Sequence, residues 1–384
     1  MPTITTPISA ALLRGFIELE PTSLGIVPHR LPAWARAQCA DPQLAMVEAQ
    51  PSGVRLVFRT SATSIELETL PTKRAYIGMP PRPAGVYDLS IDGRLERQLS
   101  AAGGKILRID MAKGTAVLEP GPSQMLRFDD LSARTKLVEI WLPHDETTEL
   151  LALRSDAPIL PIAETGNPVW LHHGSSISHG SNATSPTGIW PAVAARLFGA
   201  ELTNLGFGGS ALLDPFTART IRDTKADLIS IKIGINLVNL DLMRLRAFGP
   251  AVDGFLDTIR EGHPQTPLLV ISPIFCPIHE TTPGPCMIDT AALADGRMRF
   301  IATGDPQDVA KGKLTLSVIR QQLQAIVERR ASTDSKLHYL DGQTLYGEAD
   351  NLRLPLPDQL HPDPETHQLI GERFARLMPP LLQR

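Results

Sequence analysis

The C-terminal part of the chain alternates strand patterns with helix patterns, and this rhythm restricts the fold more than any other feature of the sequence. PVWLHH predicts a strand, and the next segment has Trp190, Val193 and Leu197 at helical spacing. ADLISIKIGI, PLLVISPI and LHYLDG predict further strands, and residues 314–330 and 365–378 predict helices. Strands that alternate with helices predict a parallel sheet covered by helices on both faces.

The N-terminal part has a different rhythm. From about Leu44 to Leu142, short runs such as GVRLVFRT and SIELET alternate apolar with polar residues and are interrupted by Gly, Pro, Asp and Ser. Many short strands at this spacing predict an antiparallel, jelly-roll-like β-sandwich. Asp92 and Gly93 predict a hairpin turn, because glycine tolerates positive φ.

Domain organisation follows from the change of rhythm. The proline-containing segment from Arg154 to Asn167 predicts a linker. With 384 residues the chain is longer than one typical domain. We therefore predict a β-sandwich domain over residues 1–160 and an α/β domain over residues 161–384.

Composition excludes several classes of function. A formal net charge of −4 offers no basic field for phosphates, so we expect no nucleic-acid partner. No run of roughly 18 apolar residues occurs, and no basic leader precedes an apolar stretch, so we expect a cytoplasmic protein without a membrane partner. Cys39, Cys276 and Cys286 are too few and too dispersed for a disulfide framework, although Cys276 and Cys286 could staple a loop.

Four polar loops follow the predicted strands or precede the last helix. They are GSSISHG, NLGFGGSA, GIN and DQLHPD. Because ligands of open parallel sheets bind at the carboxyl ends of the strands, these loops predict a pocket. A serine hydroxyl there needs a base, a group that orients the base, and donors for a developing oxyanion, and the four loops contain all three.

These loops resemble the four consensus blocks of the SGNH (GDSL-type) hydrolases, in the family's order, between about Pro168 and Leu381. The resemblance implies an α/β fold, namely a flavodoxin-like three-layer α/β/α domain with a parallel sheet. AGVYDLSIDG is also similar to a short signature, a glycine followed by an Asp-Leu pair, in the β-rich domain that precedes some of these esterases; here Gly85 and the pair Asp88-Leu89 are separated by two residues.

The resemblance implies a role for five residues. Ser176 is the expected nucleophile, and its backbone N–H is one expected oxyanion donor. The N–H of Gly209 and the side-chain amide of Asn236 are the second and third donors. His361 is the expected general base, and Asp358, three residues earlier, is expected to orient its imidazole from the same side of a helical turn. No cofactor is required by such a mechanism.

Two positions depart from the family pattern. Ser175 stands where an aspartate usually precedes the nucleophile, and Leu237 stands where an aspartate usually follows the asparagine. No Gly-x-Ser-x-Gly elbow surrounds the candidate serine, which argues against an α/β-hydrolase.

Structural roles are the alternatives for the same residues. Ser176 could be a helix N-cap, Asp358 could cap the final helix, and His361 could be a surface histidine. His172 and His173 are expected to be structural, and no nearby carboxylate or thiol completes a metal site with them.

Three further residues are candidates for substrate binding. His179 lies in the nucleophile loop, Phe207 lies in the second polar loop, and Glu280 lies in a proline-rich loop that could cover the pocket.

The sequence thus predicts a serine esterase that acts on a small-molecule ester through an acyl-enzyme on Ser176. A small acyl group on a carbohydrate or another polyol is the expected substrate. An acyltransferase or cyclising release enzyme with the same acyl-enzyme is one alternative, and a glycan-binding protein with a decayed site is another. The sequence does not define the oligomeric state.

Overall fold

The two rhythms of the sequence fold as two units. The computed structural model describes residues 3–110, 113–162 and 166–378. The first unit comprises Met1–Ala33, Ala45–Asn167 and Thr184–Thr187, and the second comprises Trp34–Leu44, Pro168–Ala183 and Gly188–Arg384. The boundary between residues 160 and 161 stays a prediction.

The first unit contains two β-sheets. Its strands are β1 (Ile4–Thr6), β2 (Leu13–Arg14), β3 (Glu18–Pro21), β4 (Ile26–His29), β5 (Arg55–Thr60), β6 (Ile65–Tyr76), β7 (Val86–Ile91), β8 (Arg94–Ser100), β9 (Lys105–Asp110), β10 (Thr115–Glu119), β11 (Gln124–Phe128), β12 (Lys136–Trp141), β13 (Thr147–Ser155) and β14 (Leu160–Pro161). One sheet has the order β10-β9-β6-β13-β4-β3, with β1 beside β13 and β11 beside β6. The other has the order β14-β5-β12-β7-β8, with β2 beside β5. Neighbouring strands are antiparallel except β6 and β9, which are parallel.

A single apolar core joins the two sheets. Leu67 and Leu153 come from the first sheet, and Phe58, Leu89 and Ile140 come from the second, and all five are fully buried in one cluster. The alternation of the sequence therefore produces the predicted antiparallel β-rich region, because alternate side chains of each strand face this core.

The structure contains the predicted hairpin turn, but the predicted linker is partly β-structure. Asp92 and Gly93 both have positive φ, 48° and 80°, and join β7 to β8 as the predicted hairpin. The predicted linker instead contains the end of β13 and the short strand β14, while residues 163–165 of it lie outside the described residues. Pro161 fits β14 because this strand lies at a sheet edge, where a missing N–H donor is tolerated.

The second unit alternates strands and helices. Between β4 and β5 lie α1 (Ala33–Arg36) and α2 (Pro42–Glu48), of which the residues Trp34–Leu44 belong to this unit. The later strands are β15 (Val169–Gly174), β16 (Glu201–Gly206), β17 (Leu228–Lys232), β18 (Leu268–Ile271), β19 (Cys286–Ile288), β20 (Phe300–Ala302) and β21 (Leu337–Leu340). The later helices are α3 (Ser176–His179), α4 (Trp190–Phe198), α5 (Pro215–Asp223), α6 (Ile235–Asn239), α7 (Leu245–Gly262), α8 (Thr290–Ala294), α9 (Leu316–Arg330), α10 (Glu348–Arg353) and α11 (Pro364–Leu377).

The main sheet of this unit is parallel and has the order β16-β15-β17-β18-β21. This is the flavodoxin-like order: β16 is added on one side of β15, and β17, β18 and β21 are added on the other side, so the switch point lies between β15 and β17. The predicted fold class is therefore confirmed. The loops that follow these two strands carry GSSISHG and GIN, so the topology brings two of the four polar loops to the switch point where ligands bind.

Some local structure differs from the expectation. The stretch that follows the proline-rich loop around Glu280 contains the β19-β20 hairpin and α8, which the sequence did not predict. Strand β17 ends at Lys232, so Ile235 begins α6 and does not continue the strand. Within the described residues, no helix has the length and apolar character that a membrane crossing requires.

Candidate active site

Ser176 is the first residue of α3, directly after the carboxyl end of β15. The hydroxyl of Ser175 accepts a hydrogen bond from the N–H of Ile177 at 3.4 Å, so Ser175 caps the helix and Ser176 does not. Ser175 is buried, and serine can stand where the family usually has an aspartate because both side chains cap helices well. The capping leaves the Ser176 side chain free to face the loops at the sheet edge.

The nucleophile loop packs closely against the strand that precedes it. A Cβ atom on Gly174 would lie 2.3 Å from Oγ of Ser178, so a larger residue could not occupy this position without displacing α3. Gly180 ends the helix in the left-handed conformation, with φ of 114°. Close packing thus favours glycine at position 174, and the left-handed conformation favours glycine at position 180.

Ser176, His361 and Asp358 form a hydrogen-bonded line. Nε2 of His361 lies 3.0 Å from Oγ of Ser176, and Nδ1 of His361 lies 2.8 Å from Oδ2 of Asp358. The second oxygen of Asp358 accepts hydrogen bonds from the backbone N–H groups of Leu360 at 2.9 Å and His361 at 2.7 Å. These bonds close a tight turn, which replaces the helical turn expected from the spacing of three. Asp363, not Asp358, caps α11 by accepting from Thr366.

The environment of Asp358 favours its ionised form. Burial alone would raise the pKa of this carboxyl, but hydrogen bonds from the His361 side chain and from the backbone of His361 and Leu360 outweigh burial and hold the pKa below its usual range. Asp358 is therefore a carboxylate at neutral pH. A carboxylate at Nδ1 keeps the proton on that nitrogen and leaves Nε2 able to accept the proton of a serine hydroxyl.

Three N–H groups at the sheet edge are available to a ligand. The carbonyl oxygen Oδ1 of Asn236 accepts from the N–H of Ala211 at 3.1 Å, which turns Nδ2 of the same amide away from that loop. Gly209 has φ of 76°, a conformation that glycine adopts without strain. Among the described residues, none accepts a hydrogen bond from the N–H of Ser176, the N–H of Gly209 or Nδ2 of Asn236. Donors of this kind can stabilise a developing oxyanion.

Two neighbours of the histidine and aspartate were not found by sequence reasoning. Nδ2 of Asn182 donates to Oδ2 of Asp358 at 3.2 Å. The ring of Phe300 meets the ring of His361 edge-on, with centroids 5.6 Å apart, and the N–H of Phe300 donates to the carbonyl of Asp358 at 2.9 Å. Asn182 lies two residues after the GSSISHG loop, so its position was a signal, but its partner is 176 residues away.

The histidines next to the nucleophile loop have internal partners. His172 lies 2.7 Å from Oγ of Ser230 through Nδ1 and 2.8 Å from Oγ of Ser178 through Nε2. Burial lowers the pKa of His172 well below its usual range, so its ring is neutral. Nδ1 of His173 lies 2.8 Å from the carbonyl of Leu205. In the described part of the chain, no three His, Cys, Asp or Glu side chains are grouped as metal ligands.

The three candidates for substrate binding are also engaged within the protein. His179 is 5% exposed, and its Nδ1 lies 3.0 Å from the carbonyl of Gly206. Phe207 is fully buried, with its ring 5.8 Å from that of His173. Glu280 forms an ion pair with Arg320 at 2.6 Å. Their contact with substrate stays a prediction.

The second departure from the family pattern lies beneath the asparagine donor. Leu237 is fully buried in α6, directly after Asn236. An aspartate at this position would bury a charge, whereas leucine adds apolar core to the helix that carries Asn236. The Asn236 amide is nevertheless oriented, because Ala211 fixes its oxygen.

A flavodoxin-like sheet whose carboxyl edge aligns a serine, a histidine and an aspartate defines an SGNH-fold protein. Over residues 173–369 the sequence matches the GDSL-like lipase/acylhydrolase family, which is more than half of the chain. The chain belongs to this family, and the resemblance seen in the sequence is confirmed. A search of curated proteins gave no significant match.

Solved structures share the architecture of the whole chain. A salicylyl-acyltransferase from a tetracycline biosynthetic pathway has 29% identity and a TM-score of 0.79, with 99% of this chain and 97% of that chain covered. A Bacteroides ovatus protein described as a GDSL-like lipase has 18% identity and a TM-score of 0.67, with 100% and 98% covered. An acetyl xylan esterase from the rumen bacterium Butyrivibrio proteoclasticus has 10% identity and a TM-score of 0.55, with both chains fully covered. The last two likenesses concern the fold alone.

Proposed function

We propose that the protein is a serine esterase that hydrolyses small-molecule esters through an acyl-enzyme on Ser176. The observation that carries this proposal is the hydrogen-bonded line from Ser176 through His361 to Asp358, with 3.0 Å and 2.8 Å between the paired atoms. These distances lie within the range that proton transfer between a nucleophile and its base requires.

The first half-reaction acylates the serine. Oγ of Ser176 attacks the ester carbonyl while Nε2 of His361 takes the hydroxyl proton. The carbonyl oxygen gains negative charge and accepts hydrogen bonds from the N–H groups of Ser176 and Gly209 and from Nδ2 of Asn236. Asp358 stabilises the imidazolium that forms. The carbon–oxygen bond to the alcohol then breaks, and His361 gives its proton to the departing alcohol oxygen.

The second half-reaction releases the acyl group. A water molecule takes the place of the alcohol and loses a proton to Nε2 of His361 as its oxygen attacks the acyl carbon. The same three donors hold the second oxyanion. Collapse of this intermediate returns the proton to Ser176 and liberates the carboxylic acid, so no cofactor enters the cycle.

The substrate class proposed is a small acyl group on a carbohydrate or another polyol. Support comes from the likeness in fold to the acetyl xylan esterase, which extends over the whole of both chains.

Acyl transfer is the second candidate function. It is favoured by the likeness to the salicylyl-acyltransferase, which extends over almost the whole of both chains at 29% identity. In that reaction an alcohol or an amine, in place of water, attacks the acyl-enzyme on Ser176. The first half-reaction and the residues that perform it are the same for both candidates.

Turnover of p-nitrophenyl esters of increasing acyl length tests the shared chemistry. We expect turnover by the unmodified protein and a loss of at least about 10³-fold in Ser176→Ala, since removing a triad member leaves only weak residual catalysis. Ser181→Ala is the matched control, because it removes a hydroxyl from the same loop, and we expect it to retain activity. Equal turnover by Ser176→Ala and the unmodified protein would refute the esterase proposal.

Added acceptors separate hydrolysis from transfer. With sugars, polyols and an aromatic amine in the assay, an esterase yields free acid at an unchanged rate, whereas a transferase yields the acylated acceptor. Absence of any turnover, combined with measurable binding of an oligosaccharide, would instead support the third possibility of a glycan-binding protein with a decayed site.

A further inference from the structure

The peptide group that carries the candidate oxyanion donor of Gly209 accepts a hydrogen bond from a residue outside the segment that matches the family. Nε2 of Gln43 donates to the carbonyl oxygen of Gly208 at 2.9 Å. Gln43 is the second residue of α2, and the family match begins only at residue 173. Both partners belong to the second unit of the chain.

The carbonyl of Gly208 and the N–H of Gly209 are the two ends of one peptide group. A trans peptide is planar, and its C=O and N–H point in opposite directions. A donor that holds the carbonyl from one side therefore directs the N–H toward the other side. Gly209 has a positive φ of 76°, and because glycine has no side chain, the peptide that precedes it can rotate to other orientations more easily than it could before a larger residue.

The neighbouring peptides of the loop have their own anchors. The N–H of Ser210 donates to the carbonyl of Phe207 at 3.1 Å, and the N–H of Ala211 donates to Oδ1 of Asn236 at 3.1 Å. For the Gly208–Gly209 peptide, the bond from Gln43 is the one hydrogen bond found among the described residues. Among the described residues, Gln43 is thus the side chain that holds this peptide.

Packing adds to the hydrogen bond. A Cβ atom placed on Gly209 would lie 3.4 Å from Nε2 and 3.6 Å from Cγ of Gln43, so the glutamine side chain lies directly over this glycine. The N–H of Gln43 donates to Oδ1 of Asp41 at 2.8 Å, which fixes the start of α2. The same segment is attached to α5, because Arg219 lies over the ring of Trp34 and donates to Gln38.

We propose that Gln43 is a positioning residue that holds the Gly208–Gly209 peptide so that the N–H of Gly209 faces the oxyanion. This inference rests on the proposed function. A hydrogen bond accepted by the carbonyl also polarises the peptide and strengthens its N–H as a donor. Gln43 acts through Gly209, so its contribution belongs to the transition state and not to the binding of the ester.

Gln43→Met and Gln43→Glu test the proposal in the full-length protein. Methionine keeps the length of the side chain but has no donor, and glutamate at neutral pH presents an acceptor to the Gly208 carbonyl. Loss of a whole oxyanion donor costs about 10²–10³ in kcat, so we expect a loss of about tenfold for Gln43→Met and a larger loss for Gln43→Glu, with KM unchanged. A boronic acid that forms a tetrahedral adduct with serine should bind more weakly by the same factor.

Gln38→Ala is the matched control, since it removes a glutamine from the same segment without touching the Gly208 carbonyl. It should keep kcat near that of the unmodified protein. An unchanged kcat in both Gln43 variants, a rise in KM alone, or an equal loss in Gln38→Ala would overturn the proposal. Far-ultraviolet circular dichroism of each variant excludes unfolding as the cause. If Ser176→Ala is as active as the unmodified protein, the proposed function itself fails, which is a distinguishable result.

Discussion

Asp358→Asn is expected to trap the candidate base in the wrong tautomer. Oδ1 of Asp358 is held by two backbone donors, at 2.9 Å and 2.7 Å, so an asparagine would place its carbonyl oxygen there and its NH₂ group toward His361. Nδ1 of the ring would then have to accept, which puts the ring proton on Nε2. Protonated Nε2 cannot take the proton of Ser176, even at the 3.0 Å separation seen in the unmodified protein.

The expected magnitude follows from the same argument. The same change in a serine triad with intact geometry lowers kcat about 10⁴-fold, which corresponds to about 5 kcal/mol in the activation free energy. The assay is p-nitrophenyl acetate turnover for the unmodified protein and the variant. We expect KM to change little, because the aspartate is not placed to contact the ester.

Asp363→Asn is the matched control for this variant. Asp363 accepts from the N–H of Thr366 at 2.8 Å as the N-cap of α11, and asparagine caps helices equally well. The control removes one nearby carboxylate without altering the histidine, so its kcat should equal that of the unmodified protein. A kcat for Asp358→Asn within tenfold of the unmodified protein would refute the tautomer argument.

Further predictions concern the positions of Asn182, Asp88 and Asp214. Asn182 has a left-handed φ of 66°, which glycine also adopts, so Asn182→Gly keeps the turn and removes only the donor to Asp358. We expect kcat to fall about tenfold in Asn182→Gly, as in Asn182→Ala. Full activity of Asn182→Gly would show that Asn182 only shapes the turn. Asp88→Ala leaves the donors of Ser185 and Thr187 without their acceptor. The free energy of unfolding, measured by urea denaturation, should therefore fall by about 3 kcal/mol, and a fall of less than about 1 kcal/mol would contradict this. Burial and Asp41 raise the pKa of Asp214 from its usual value of 3.8 to about 6, so the folded state loses stability as the pH rises through this range. Asp214→Asn should therefore raise the melting temperature more at pH 8 than at pH 4, because the destabilisation is fully developed at pH 8 and has only begun at pH 4. An equal shift at both pH values would argue against the raised pKa.

Local patterns in the sequence predicted the fold because each pattern reports the face of a strand or helix that is buried. The strand β17 and the helix α9 follow directly from apolar spacing, within a few residues of the observed bounds. Helix α7 was not predicted, and it contains Pro250 and Gly249 and Gly254, residues that weaken a helical pattern. Its stability comes from packing of its buried face, which sequence spacing alone does not reveal.

The candidate site was predicted to the extent that its residues lie in recognisable loops. Ser176, Asp358 and His361 meet because β15 ends at the switch point of the sheet, which is a consequence of the predicted topology. Gln43 and Asn182 were not assigned to the site, because their partners lie far away in the sequence and no periodicity connects them. Contacts between residues so far apart in the sequence are determined by the tertiary structure and not by local sequence patterns.

Mass spectrometry of the reacting enzyme tests the central claim most directly. The protein is mixed with p-nitrophenyl acetate, quenched with acid during turnover, and digested into peptides. We expect one acetyl group on Ser176 in the unmodified protein and none on the equivalent peptide of Ser176→Ala. Turnover of the unmodified protein without an acetyl group on Ser176 would contradict the account. So would a Ser176→Ala variant that turns over at the full rate and carries the acetyl group on another residue.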